Sequence, residues 1–191
     1  MSTDSLKVLI VAGGLTHERD VSVRSGRRVA NSLINQGFDA KVVDFDQNLP
    51  SEISAFGPDV VWPLVHGSLG EDGSLQSLLE GVGVPYVGST PAQAMLASNK
   101  PTAKALVGAA GLDTPGWIAL PQLLFRQLGA HNVLGMINSS LTFPLVVKPS
   151  SGGSALGMSR AQDSSDLRSA MVDAFSYEEH VMLERFVEGR D

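Results

Sequence analysis

Hydrophobic residues in the first half of this chain alternate between short unbroken runs and stretches with helical spacing. Lys7 to Ala12 is a continuous apolar run stopped by Gly13 and Gly14, the form of a strand buried on both faces. From about Asp20, Val23, Val29, Leu33 and Ile34 recur on a helical period, and Gly37 stands where a left-handed residue ends a helix. Further strands are expected over Ala40 to Phe45, Asp59 to Val65 and Val84 to Val87. A helix marked by Leu75, Leu78 and Leu79 closes near Gly81. Strand–helix alternation of this kind predicts an α/β fold, a doubly wound parallel sheet with ligands at the carboxyl ends of its strands.

Thr90 and Pro91 form an N-cap followed by proline at the first helical position, and another helix is expected from Pro101 to Gly111. The pattern then changes. From Thr114 the segments are shorter: a strand Phe143 to Lys148, a Gly/Ser-rich loop, a helix around Leu167, Met171 and Phe175, and a strand Val181 to Phe186. A domain boundary is expected near Ser98, separating residues 1–98 from 99–191.

Composition narrows the function. The chain has 191 residues, 43% hydrophobic and 18% charged, enough for one large or two small globular domains. A net charge of −6 provides no broad basic surface for nucleic acid, so a small-molecule substrate is expected. Without cysteine, thiolate catalysis, disulfides and cysteine-based zinc sites are excluded. No apolar run approaches the roughly 18 residues of a membrane span, and Val8 to Ala12 is too short for a signal-peptide core, so a cytoplasmic protein with no membrane partner is expected.

Five segments carry candidate chemistry. The Ala12-Gly13-Gly14 turn between a strand and a helix suits an anion or is only a tight turn, and lacks the third glycine of a dinucleotide fingerprint. In His17-Glu18-Arg19-Asp20-Val21-Ser22, a carboxylate could hold an ammonium group or simply complement the helix dipole. Val65-His66-Gly67-Ser68-Leu69-Gly70-Glu71-Asp72-Gly73 has the form of a crevice loop; His66 either contacts a carboxylate or is a strand-end residue satisfied by backbone. Phe143 to Gly157 delivers Lys148 from a strand into a loop of small residues. Such a loop can cradle phosphate, although it is not a Walker A loop because the lysine precedes the glycines; the alternative is a flexible linker. Further on, Glu184 and Arg185 interrupt an apolar strand, as an exposed charged edge or as a carboxylate placed to read an adenine edge.

Taken in order, AGGLTHERDVSVRSG, LVHGSLGEDGSLQSLLE, VPYVGS, the lysine of SNKPTAK, FPLVVKPSSGGSALGMS and VMLERFVEGRD resemble the D-alanine–D-alanine ligases of the ATP-grasp superfamily over essentially the whole chain. The resemblance implies a pre-ATP-grasp domain over residues 1–98 and the first part of an α+β ATP-grasp domain over 99–191. It assigns Asp20 to the ammonium of the first D-alanine, His66 to the same substrate site and Ser154 to substrate orientation. Lys100 and Lys148 would contact ATP phosphates beneath a loop holding Ser150, Ser151, Gly152, Gly153 and Ser154. Glu184 and the backbone at Val187 would read adenine, and Asp191 the ribose. Lys104 would lie outside the phosphate positions.

The implied reaction uses ATP and magnesium to activate one D-alanine as an acyl phosphate, in a homodimeric enzyme. Its magnesium ligands and a catalytic arginine lie beyond Asp191 in the family pattern, so residues 1–191 alone are expected to be inactive. Asp replaces the family's Glu at positions 20 and 191, and Ala155 replaces a serine. The alternatives are an ATP-grasp ligase for other amino acids or a noncatalytic nucleotide-binding module.

Overall fold

A computed structural model of the chain describes residues 5–153 and 155–189. The chain divides into two compact units, Met1–Ala97 and Ser98–Asp191.

The first unit is built on β1 (Lys7–Ala12), β2 (Asp39–Asp44) and β3 (Val60–Pro63), paired in parallel in the order β2-β1-β3. Because successive strand residues face opposite sides, β1 feeds two cores. Leu9 and Val11 pack with Leu49, Ile53, Leu75 and Leu79, which belong to α2 (Leu49–Phe56) and α3 (Ser74–Gly81). On the other face, Val8 and Ile10 pack with Ala30, Val29 and Leu33 of α1 (Arg19–Asn35). Helices therefore cover both faces, as the doubly wound pattern predicts. α1 approaches closely because Gly26 has no side chain: a Cβ there would lie 2.8 Å from that of Ala12.

The expected fourth strand is reduced to one bridge. Tyr86 pairs in parallel with Val61, with bonds from Val61 N to Pro85 O and from Val87 N to Val61 O. Pro85 has no N–H to extend a ladder, and Gly83 and Gly88 turn the chain with φ of 70° and 135°. α4 (Pro91–Ser98) follows. Helix α2 was not expected from the sequence.

The second unit carries an antiparallel sheet in the order β4-β7-β5-β6, formed by β4 (Trp117–Pro121), β5 (Leu145–Pro149), β6 (Ser159–Ala161) and β7 (His180–Arg185). Its core joins Leu145, Val147, Val181 and Leu183 to Leu167, Met171 and Ala174 of α8 (Ser164–Phe175), with Val133 and Ile137 of α7 (Ala130–Ser140). α8 starts at Asp163, whose carboxylate accepts from the N–H groups of Ser165 and Asp166. α5 (Lys100–Ala109) is capped by the Asn99 side chain, and α6 (Gln122–Leu128) joins β4 to α7. Elements β4, β6, α6 and α7 were not expected from the sequence. β6 spans 3 residues, too few to show a period, and β4 ends in a proline.

Candidate functional site

At the carboxyl end of β1, the glycine turn is a closed structural knot. Gly13 and Gly14 have φ of 90° and 85°, a region that favours glycine. Gly13 N–H donates to Ser22 Oγ at 2.7 Å, and the fully buried Ser22 donates in turn to Leu64 O at 2.6 Å. Gly14 N–H donates to Asp44 Oδ1 at 3.0 Å. Arg19 bonds both carboxylate oxygens of Asp44 and donates to Gly14 O at 3.1 Å. Both glycine N–H groups are thus taken by side chains, which decides for the tight-turn reading over the anion site.

The Arg19 guanidinium, by hydrogen bonding, holds the Asp44 carboxyl at about 2 against an ordinary value of 3.8, despite the opposing effect of burial. A carboxyl lowered on folding stabilises the fold above its unfolded pKa and loses that contribution as pH falls through the folded value. The stability difference between wild type and Asp44→Asn is therefore expected to shrink as pH drops from about 4 to about 2. Thermal melts of both proteins across that range check it; a pH-independent difference would remove the Asp44–Arg19 pair from the account.

The turn and the crevice loop meet. Thr16 Oγ1 donates to His66 O at 3.1 Å, and a Cβ on Gly67 would sit 3.3 Å from Glu18 Oε2. Asp20 is exposed in the first turn of α1. His66 is half-buried; its Nδ1 lies 3.4 Å from Glu71 Oε1, and its Nε2 is buried with no partner. Gln76 ties the loop down through Nε2 to Gly70 O at 3.0 Å, leaving its own buried Oε1 unpaired. Only glycine fits at position 70, where a Cβ would fall 2.1 Å from Val65 O. His66, Glu71 and Gln76 line a cavity of about 320 Å³ with Val87, Ser89 and Ala97. Two buried orphan polar atoms on one small cavity suit a small polar ligand.

In the second unit, the Lys148 loop is fastened at its start. Ser150 is buried, its N–H donating to His180 O at 3.0 Å and its carbonyl accepting from Lys100 N at 2.8 Å. Lys100 Nζ donates to the carbonyls of Ser151 and Gly152 at 2.6 and 2.7 Å. Ser151 gives its N–H and its hydroxyl to the Glu178 carboxylate, at 2.7 and 2.6 Å. The donors that the sequence offers to a phosphate at Ser151 are therefore engaged by an internal anion. Gly152 has φ of 82°, Gly153 is exposed, and Val187 is 58% exposed beyond β7. Ser154 and Asp191 lie outside the described residues.

Lys148 is paired with Glu184 Oε1. Lys104 Nζ sits 2.9 Å from Glu184 Oε2, so this lysine, expected outside the phosphate positions, shares the carboxylate that Lys148 pairs with. Burial pushes the Glu184 carboxyl up, but hydrogen bonds from Lys148 and Lys104 outweigh it, and the net displacement is downward. The sequence carried an unused signal for Lys104: four residues from Lys100, it shares a helix face with it. Glu178, Gln76 and the Asp44–Arg19 pair carry no local signature, because their partners are distant in sequence.

A parallel sheet followed by an antiparallel sheet with a lysine-fed Ser/Gly loop is the architecture of the ATP-grasp ligases. Residues 39–89 match the family model "D-ala D-ala ligase N-terminus" and residues 106–191 match "D-ala D-ala ligase C-terminus". The chain is 37% identical over 187 residues to a D-alanine–D-alanine ligase of Citrifermentans bemidjiense, covering 97% of this chain and 57% of that relative. It is 36% identical over 194 residues to one of Geobacter sulfurreducens, covering all of this chain and 59% of the relative. Among solved structures, the D-alanine–D-alanine ligase of Bacillus anthracis complexed with ATP superposes with a TM-score of 0.78 at 27% identity, over 97% of this chain and 60% of that one. The chain belongs to the D-alanine–D-alanine ligase family, and it spans somewhat more than half the length of these relatives.

Proposed function

We propose that this chain forms the first-substrate and ATP-phosphate part of a cytoplasmic ligase that joins two D-alanines for peptidoglycan synthesis. The γ-phosphoryl of ATP passes to the carboxylate of the first D-alanine, giving an acyl phosphate and ADP. The amine of the second D-alanine attacks that carbonyl, the C–O bond to phosphate breaks, and the amide forms with release of inorganic phosphate. Phosphate is a far better leaving group than the oxygen of a bare carboxylate, and lysines lower the barrier by meeting charge where it develops.

The observation that carries this reading is the gathering of Lys100, Lys104 and Lys148 around one Ser/Gly loop and one carboxylate. Lys148 and Lys100 are assigned to the phosphates, with Ser150, Ser151, Gly152, Gly153 and Ser154 forming the covering loop. Glu184 and the Val187 backbone are assigned to the adenine edge and Asp191 to the ribose. Asp20, His66 and Ser154 hold the first amino acid, a role supported by the orphan Nε2 of His66 on a cavity of small-substrate size. Residues 1–98 act as the substrate domain and 99–191 as the start of the ATP-grasp domain, in a homodimer. Magnesium belongs to the proposal as the ion that neutralises nucleotide charge. Among the described residues no group of three or more acidic or histidine side chains could hold it, so none of them is given that role. No helix of the described residues is long and apolar enough to cross a membrane.

The shorter carboxylate at Asp20 favours a second reading, in which the same chemistry joins a different first amino acid. The deciding experiment uses an enzyme of full family length carrying this chain. Phosphate release from ATP is followed with D-alanine and with a panel of other amino acids, and products are identified by mass spectrometry. D-alanyl-D-alanine is the expected product. Release with another amino acid but not with D-alanine moves the specificity, and no release with any amino acid overturns the ligase reading.

A further inference from the structure

Glu184 receives two lysines from different elements. Lys148 reaches it across the antiparallel ladder: Glu184 is paired with Val146 and Met182 with Lys148, which makes Lys148 and Glu184 diagonal neighbours on one face. Lys104 comes from α5 and occupies the other carboxylate oxygen, while its ammonium also donates to Thr114 Oγ1 at 2.5 Å. All three side chains are largely withdrawn from water, with 14% exposure for Lys104 and Glu184 and 20% for Lys148. Two cations on one anion exceed what pairing requires, and the surplus has a consequence when a phosphate arrives.

In the proposed reaction Lys148 must turn toward phosphate. Were it the sole partner of Glu184, that movement would leave a desolvated carboxylate without a counter-charge, which is strongly unfavourable and would favour protonation or displacement of the group. Lys104 prevents this. Its anchor on Thr114 lies on the segment leading into β4 rather than on the phosphate loop, so it can remain with Glu184 while Lys148 moves.

We propose that Lys104 is a positioning residue for nucleotide recognition, holding the Glu184 carboxylate charged and aimed at the base edge while Lys148 engages the phosphates. This inference rests on the reading of Lys148 and Glu184 as phosphate and base contacts.

The test uses the full-family-length enzyme, with steady-state kinetics in ATP and in inosine triphosphate, which offers a carbonyl where adenine offers an amino group. Lys104→Met is expected to raise KM for ATP about tenfold, the scale of one charge-assisted contact. Its kcat should stay within about twofold, because Lys104 does not touch the reacting groups. The preference for ATP over inosine triphosphate should fall by a similar factor, and Lys104→Arg should restore both. A Lys104→Met enzyme with wild-type KM and wild-type base preference overturns the proposal. Should that variant fail to fold, Lys104→Gln decides in its place: lost base preference supports the role and retained preference overturns it. Lys148→Ala and Glu184→Gln are measured alongside. If neither raises KM for ATP, the assignment of the nucleotide site fails and this inference with it; if both do and Lys104→Met does not, only the role of Lys104 fails.

Discussion

In an enzyme of full family length, Lys148→Ala is expected to weaken ATP binding and slow turnover together, by about 1.5 to 3 kcal/mol in transition-state stabilisation. That corresponds to roughly a ten- to hundredfold loss in kcat/KM. β5 fixes the lysine where the strand ends, between the buried Val147 and Pro149, so its backbone has little freedom. The substitution also removes one of two cations from Glu184, leaving Lys104 as the remaining partner. Lys104 is consequently a poor control, although its position in the sequence suggests one. Lys41 is a better one: its ammonium pairs with Glu52 at 2.6 Å on the surface of the other unit, and exposed pairs of that kind contribute little. Initial rates at varied ATP for wild type, Lys148→Ala and Lys41→Ala make the comparison. Equal effects from the two substitutions would remove the case for the phosphate loop.

Asp20→Ala is expected to abolish ligation while leaving ATP affinity nearly unchanged. The residue is exposed in the first turn of α1, where the structural alternative is a carboxylate that only complements the helix dipole. A dipole contribution is about 0.3 to 1 kcal/mol and would appear as a small loss of stability with normal catalysis. Loss of a charged anchor for a substrate ammonium would instead halt turnover. Compared with the glutamate of the resembling family, aspartate reaches about 1.5 Å less far. The ammonium contact is then lengthened or bridged by water, unless a different first amino acid fills the gap. Asp20→Glu should keep activity and change which first amino acid is preferred. ATP-dependent phosphate release with an amino-acid panel, for wild type and both variants, measures this. An Asp20→Ala enzyme with wild-type rate and selectivity would show that the carboxylate serves only the helix start, and the ammonium site would have to be sought elsewhere.

Local signals in the sequence determined the parallel sheet of the first unit and the principal strands of the second. The run from Val8 to Ala12 is buried on both faces, and α1 ends at Asn35, just before Gly37, whose φ of 87° turns the chain out of the helix. Such features are written within a few consecutive residues, because backbone conformation and burial period are local properties. The lysine-and-glycine loop was legible for the same reason.

Pairings between distant residues were decided only by the tertiary structure. The AGG turn is shaped for an anion, yet its N–H groups go to Ser22 and to Asp44, 30 residues away. Ser151 gives its donors to Glu178, and the buried Ser150 is anchored by His180 and Lys100. The helical spacing of Lys100 and Lys104 is in the sequence, but that Lys104 meets Glu184, 80 residues further on, is decided by the folded chain. A hydrogen-bond donor or a charge has many possible partners in an unfolded chain, and only the packed backbone selects one. The sequence by itself determined which segments could carry ligase chemistry; the fold decided which of their groups are already engaged and which lysines share a carboxylate.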